Sequence, residues 1–161
     1  MIRNLTRSKP GRLAFYLLLV GLAYGASGWV FPHLCIAKGD SVKPYLLWLE
    51  LENPKAYQAG DYVLFPLSYE RFQGGKPFLA VKRLACMPGE ELLAWRGEAW
   101  CNHKPLGLGQ RPAAGDPKFS FKGPVPAGKA FVMGDNERSW DSRHWGFLDL
   151  SKIEARGHAL F

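Results

Sequence analysis

The chain has 161 residues, 47% of them hydrophobic and 14% aromatic, which excludes a disordered polymer and supplies enough apolar surface for one ordinary domain. Gly (18) and Pro (12) are frequent but aperiodic, so the composition fits a loop-rich β protein and excludes a collagen-like or low-complexity chain. The net charge is +7, yet Arg3, Arg7, Lys9 and Arg12 stand without any acid in residues 1–32, so most of the excess is local. The remaining chain is only mildly basic, which does not point to a nucleic-acid partner.

The first element follows those four bases. Between Leu13 and Ala37 there is no Asp, Glu, Lys or Arg. As a helix, the 19 residues from Leu13 to Phe31 would span roughly 29 Å, the thickness of a bilayer core. Trp29 and Phe31 lie at one end, where interfacial aromatics belong, and the bases flank the other. The positive-inside rule then leaves the N-terminus in the cytoplasm and the rest of the chain outside it. Two other readings exist. A cleaved signal peptide has a small-residue site at Gly25-Ala26-Ser27-Gly28, but its apolar region is ordinarily shorter than this one. A buried core helix would also be apolar, but usually keeps some polar face. The expected organisation is a basic cytoplasmic tail over residues 1–12, a transmembrane anchor over 13–32 and an extracytoplasmic domain over 33–161.

Beyond Pro32, short β-rich runs alternate with turn residues. Strands are predicted at Leu34–Lys38, Asp61–Phe65, Phe78–Cys86, Glu91–Trp95, Ala99–Asn102, Ala130–Met133 and Ile153–Leu160. Arg96-Gly97-Glu98 predicts a tight hairpin. A short helix is predicted near Pro44–Leu51, limited by Pro54. Gly107 to Pro126 reads as a long connection. Many short strands without alternating long helices predict a mainly β fold, antiparallel and partly closed.

Three polar motifs interrupt this pattern. In Gly39-Asp40-Ser41-Val42-Lys43-Pro44, a sharp turn can expose the Ser41 hydroxyl and converge backbone N–H groups on an oxyanion, although Gly-Asp-Ser is also an ordinary turn. In Ala80-Val81-Lys82-Arg83-Leu84-Ala85, Lys82 falls within an apolar strand and Arg83 on its other face. A lysine forced inward is desolvated, loses proton affinity and becomes a usable base near neutral pH. The same lysine on an edge strand would only discourage aggregation. The third motif runs from Met133 to Gly146 and crowds Asp135, Asn136, Arg138, Ser139, Asp141, Ser142 and Arg143 into one loop. Such a loop is either an ordered polar network or a solvated turn.

Taken together and in this order, the motifs resemble those of the type I signal peptidases, a family of Ser–Lys serine proteases. Gly39-Asp40-Ser41-x-x-Pro44-x-Leu46 resembles the nucleophile box, Lys82-Arg83 with Pro88-Gly89 the base box, and Gly134-Asp135-Asn136 with Ser139 and Asp141-Ser142-Arg143 the last box. Asn102-His103-Lys104-Pro105-Leu106 resembles the hairpin that follows the base. Val42 replaces the usual Met, and the loop from Asn136 to Asp141 is one residue shorter than in general signal peptidases. That shortening resembles the TraF-like maturation peptidases of conjugative plasmid transfer, which process pilin precursors.

The resemblance implies a signal-peptidase-like antiparallel β domain behind the anchor, with Ser41 as nucleophile and Lys82 as general base. It further implies that Ser139 aims Lys82, that Gly134 leaves room for the lysine, and that Asp141, Arg143 and Arg83 form an ion-pair network to which Ser142 contributes. The oxyanion site would lie at the backbone of Gly39, Asp40 and Ser41. Some relatives add a serine hydroxyl two residues before the nucleophile; Gly39 has none. The implied substrate is an exported precursor, a pilin precursor in the narrower reading, presented at the lipid bilayer, with small residues one and three positions before the cut. No cofactor is expected. No metal is expected either, since His33, His103, His144 and His158 lack ligand spacing. A self-cleaving Ser–Lys regulator is disfavoured by the anchor. A non-catalytic membrane-anchored peptide-binding β domain is the alternative, and it does not require Ser41 and Lys82 to meet. Of the three cysteines, Cys86 and Cys101 flank the predicted hairpin and are placed to bridge in an oxidising compartment. Cys35 reads as a small apolar residue.

Overall fold

The computed structural model describes residues 9–51, 56–68, 73–107 and 118–160. Arg3 and Arg7 of the predicted tail, and residues 108–117 of the predicted long connection, lie outside them. The chain divides into two units, residues 1–34 and 35–161.

The first unit is helix α1, Lys9–Val30, followed by a 3-10 turn at Phe31–His33. The predicted helix, Leu13–Phe31, starts four residues inside it and ends one residue beyond it. Pro32, without an N–H, stands where the α-helix has given way to the tighter turn. The backbone runs through Gly25–Gly28 without interruption. Tyr16, Leu17, Leu18, Val20 and Leu22 are each at least 60% exposed. The segment Phe15–His33, of mean hydropathy 1.4, is long and apolar enough to cross a membrane.

The second unit is built from antiparallel strands in two sheets. In chain order these are β1 (Leu34–Ile36), β2 (Leu46–Glu50), β3 (Tyr62–Leu67), β4 (Phe78–Cys86), β5 (Glu91–Trp95), β6 (Glu98–Cys101), β7 (Lys104–Pro105), β8 (Phe121–Pro124), β9 (Lys129–Met133), β10 (Leu148–Asp149) and β11 (Ala155–Ala159). The larger sheet has the order β1-β2-β11-β3-β4-β9-β10, the smaller β7-β6-β5-β8. A single-turn helix, α2 (Ser142–Trp145), precedes β10.

Two expectations are corrected. Pro44–Leu51 is not helical: Leu46–Glu50 is a strand whose Leu47 and Leu49 are buried while the residues between them are half-buried. Its antiparallel pairing with β11, where Leu47 meets Ala159 and Glu50 meets Arg156, decides the conformation. The predicted connection from Gly107 to Pro126 is not all loop, because Phe121–Pro124 pairs with β5 and closes the smaller sheet. The tight hairpin is present. Arg96 and Gly97 both take positive φ (53° and 87°) between the paired Trp95 and Glu98, the geometry a two-residue turn needs to match strand twist.

The core follows from strand alternation. One cluster joins the inward residues of β5 and β6 (Leu92, Ala94, Ala99, Cys101) to Phe131 and Met133 of β9. A second gathers Val63, Phe65, Ala80, Leu84 and Val132 from β3, β4 and β9. A third, Ala37, Val42 and Leu47, backs the segment that carries Ser41. Cys86 and Cys101 form a disulfide, with Cα atoms 5.7 Å apart. It ties the end of β4 to β6, and thus the smaller sheet to the strand that carries Lys82. Cys35 is half-buried, and burial raises its thiol pKa, in keeping with an apolar packing residue.

Candidate active site

Ser41 lies in the loop between β1 and β2, which Ala37 N–H closes by donating to Tyr45 C=O (3.0 Å). Gly39 has φ of +91°, a left-handed conformation that side chains resist, so the turn before Ser41 is sharp. Gly39 and Asp40 are exposed and Ser41 is half-buried, so the backbone preceding the hydroxyl faces solvent. An open cleft of about 560 Å³ adjoins this turn, lined by Asp40, Val42 and Lys43 and, from the last motif, Asp135, Glu137 and Arg138.

Lys82 sits mid-strand in β4, opposite Val63. Strand alternation puts it on the same face as Ala80 and Leu84, both core residues, and it is only 5% exposed. That burial lowers its pKa from 10.5 to about 8. Asp141 opposes the shift, Arg143 adds to it and Asp135 opposes it, all more weakly. The ammonium donates to Ser41 Oγ (2.6 Å) and to Ser139 Oγ (2.9 Å). The two hydroxyl oxygens are 3.3 Å apart. Two hydroxyls and an amine of weakened proton affinity therefore share one triangle, an arrangement in which the amine can take a proton from a neighbouring hydroxyl.

The last motif is an ordered network. Asp141 is fully buried and Arg143 nearly so, and they pair through Arg143 Nε–Oδ1 (2.8 Å) and Nη2–Oδ2 (2.7 Å). This fork geometry satisfies both charges at once. Asp141 also accepts from Gly134 N–H (2.9 Å) and caps α2 through Arg143 N–H (3.2 Å). His144 returns the cap: its Nδ1 accepts from Asp141 N–H (3.4 Å). Ser142 Oγ accepts from Val132 N–H (2.9 Å), so Ser142 fastens the loop to β9.

Two expected roles differ in detail. Arg83 does not join Asp141 and Arg143; its Nε donates to Asp135 Oδ1 (2.9 Å), a separate ion pair. The reason is strand alternation, which sends Arg83 to the face opposite Lys82. Gly134 makes room mainly for Ser139 and Ser41. A Cβ there would lie 2.1 Å from Ser139 Oγ and 2.4 Å from Ser41 C=O.

Two further residues take part for which the sequence pattern indicates no role, Asp135 of the last motif and Tyr62 of β3. Asp135 N–H donates to Ser41 C=O (2.8 Å), while its Oδ2 accepts from Lys43 N–H (2.9 Å) and Tyr62 Oη (2.7 Å). Only the Gly-Asp-Asn spacing could have signalled Asp135; no local pattern marks Tyr62. Among the described residues, Cys86, Glu90 and Cys101 come closest to a metal-ligand cluster, but the two sulfurs are bonded to each other.

Residues 12–161 match the family described as signal peptidase, peptidase S26. The chain belongs to that family. It is 36% identical over 110 residues to a probable signal peptidase I-1 of Synechocystis, covering 65% of this chain and 53% of the relative. It is 29% identical over 134 residues to a signal peptidase I of Bacillus caldolyticus, covering 73% of this chain and 72% of that one. The chain thus spans about half the length of the Synechocystis relative. A crystal structure of a signal peptidase I from Enterococcus faecalis aligns with a TM-score of 0.43 at 26% identity, covering 66% of this chain and 98% of that one.

Proposed function

We propose that the chain is a membrane-anchored serine endopeptidase that removes signal or leader peptides from exported precursors. The observation that carries this reading is the 2.6 Å contact between Ser41 Oγ and the ammonium of a lysine buried enough to release its proton near neutral pH. The non-catalytic alternative gives no reason for that contact, since burying a lysine for structure alone is costly.

In the reaction, neutral Lys82 takes the proton of Ser41 Oγ as that oxygen attacks the scissile carbonyl. Ser139 holds the amine in line. The tetrahedral oxyanion forms beside the Ser41 backbone N–H on the open side of the Gly39–Asp40 turn. The protonated lysine gives its proton to the leaving amine, and the acyl group remains on Ser41. Water, deprotonated by the same lysine, then attacks the ester carbonyl; the bond to Ser41 Oγ breaks, and the lysine returns the proton to that oxygen. The substrate enters as an extended strand along the cleft at Asp40, Val42 and Lys43. Small residues one and three positions before the cut are the family's requirement, carried over by resemblance.

Helix α1 serves as the anchor in this proposal, with residues 1–12 cytoplasmic and 33–161 outside. The anchor brings the catalytic domain to the bilayer from which a precursor presents its cleavage site. The narrower reading, maturation of a pilin precursor in conjugative transfer, rests on the short Asn136–Asp141 loop alone; the similarity to signal peptidases I favours the general one.

The test uses the full chain in detergent micelles with two substrates, a secretory precursor and a pilin precursor, read by the mass of each product's N-terminus. The native chain should cleave, with a rate rising through about pH 8 as Lys82 loses its proton. Ser41→Ala should be inactive. Cleavage by Ser41→Ala at the native rate refutes the proposal, and cleavage of the pilin precursor alone selects the narrower reading.

A further inference from the structure

We propose that Tyr62 is a positioning residue for the nucleophile, acting through Asp135, which clamps the backbone directly after the Ser41 side chain. The inference rests on the reading of Ser41 as nucleophile.

The clamp has two jaws. Asp135 N–H donates to the carbonyl of Ser41 itself (2.8 Å), and Asp135 Oδ2 accepts from the N–H of Lys43, two residues on (2.9 Å). Ser41 and Val42 are thereby strapped to the turn after β9 from which Ser139 also descends. The clamp works only if the carboxylate cannot rotate. Three donors hold it: Lys43 N–H and Tyr62 Oη on Oδ2, and Arg83 Nε on Oδ1. Arg83 and the phenol approach from neighbouring strands, because Tyr62 and Arg83 are directly opposite one another in the β3–β4 register, and Arg83 in turn faces Met133 of β9. Tyr62, Arg83 and the chain leading into Asp135 thus form one row across three strands.

Tyr62 itself has a fixed place. Its partner on β11 is Gly157. A Cβ at that glycine would lie 2.8 Å from Leu47 Cδ2 and 3.5 Å from Tyr62 Cβ, so the missing side chain lets Leu47 and Tyr62 pack closely. The ring packs against the cluster of Ala37, Val42 and Leu47, beside the nucleophile turn. The electrostatics agree with a locked donor. Burial, the Asp135 hydrogen bond and the Asp135 charge push the phenol up to about 12, with Arg83 opposing. It therefore stays protonated and donating at every working pH. Burial alone would raise the Asp135 pKa; the hydrogen bonds from Lys43 N–H, Arg83 and Tyr62 outweigh it and hold the group ionised. Lys82 donates to neither Tyr62 nor Asp135, and the Asp135 charge is the weakest of the influences on its proton affinity, so removing the phenol while keeping Asp135 disturbs the place of Ser41 and not the base. Small displacements of a nucleophile cost rate far more than they cost binding.

The test is Tyr62→Phe, which keeps the ring packing and removes only the hydroxyl. It uses the full chain in micelles with the secretory precursor. We expect kcat to fall about tenfold with KM unchanged, and the midpoint of the pH profile to stay near 8. The Lys43 amide should exchange with solvent about tenfold faster, while the Val132 amide, deep in the sheet, keeps its rate. In an Asp135→Asn background, Tyr62→Phe should cost little more, because the two act in series. An unchanged Lys43 exchange rate overturns the inference whatever happens to kcat. So does a change in KM alone, which would make the ring a substrate wall. A native chain no more active than Ser41→Ala would instead sink the peptidase reading, and the exchange measurement would still decide the clamp.

Discussion

Lys82 is held in a place that weakens it, and replacing it should separate chemistry from stability. In Lys82→Met the ammonium becomes a thioether of similar length among Ala80, Val63 and Leu84. Bringing the lysine from 10.5 down to about 8 corresponds to about 3 kcal/mol of unfavourable burial of the charged form. Against this stand two hydrogen bonds, to Ser41 and Ser139, each worth about 1 kcal/mol net. Lys82→Met should therefore be more stable than the native chain at pH 7, by about 1 kcal/mol, and wholly inactive. The sign of the pH dependence follows. The folded pKa lies below the unfolded one, so the unfolded chain binds the extra proton between them. The native chain's penalty is complete below about pH 8 and disappears as pH rises through 10.5. Urea titrations of both full chains in micelles at pH 7 and pH 10 measure the gap directly. It should shrink or reverse at pH 10. A variant clearly less stable than native at pH 7, or a gap that ignores pH, would refute the argument that burial is what makes this lysine a base.

Gly134→Ala should abolish cleavage, because its Cβ would fall within 2.4 Å of Ser139 and of the Ser41 carbonyl; near-native turnover would mean that the triangle yields easily. Asp141→Asn leaves Arg143 buried with its countercharge gone and should destabilise the unit by about 3–5 kcal/mol, read as a lower urea midpoint. Cys101→Ser opens a link of 15 residues' separation and should cost about 3 kcal/mol in the same assay.

Local chemistry was enough to read several features from the residues in order. An unbroken apolar run with bases at one end has few folded uses besides a helix, and α1 covers it. Arg96-Gly97-Glu98 between two apolar runs reads as a tight hairpin, and the structure narrows the turn to Arg96-Gly97, with Glu98 already in β6. Lys82 stood out as the one charge on a face otherwise given to core residues, and Cys86 and Cys101 flank a hairpin that brings their strands together. What lay hidden depends on partners distant in sequence. Leu46–Glu50 carries an apolar run compatible with helix or strand, and only pairing with β11, at the far end of the chain, settles it. Phe121–Pro124 becomes a strand because the edge of β5 offers it hydrogen bonds. The separation of Arg83–Asp135 from Arg143–Asp141 comes from which face of β4 each side chain leaves. Tyr62 reads in isolation as one more aromatic in a strand. Its hydroxyl meets Asp135 only because β3, β4 and β9 lie side by side in the sheet, and register across strands is a property that no local run of residues encodes.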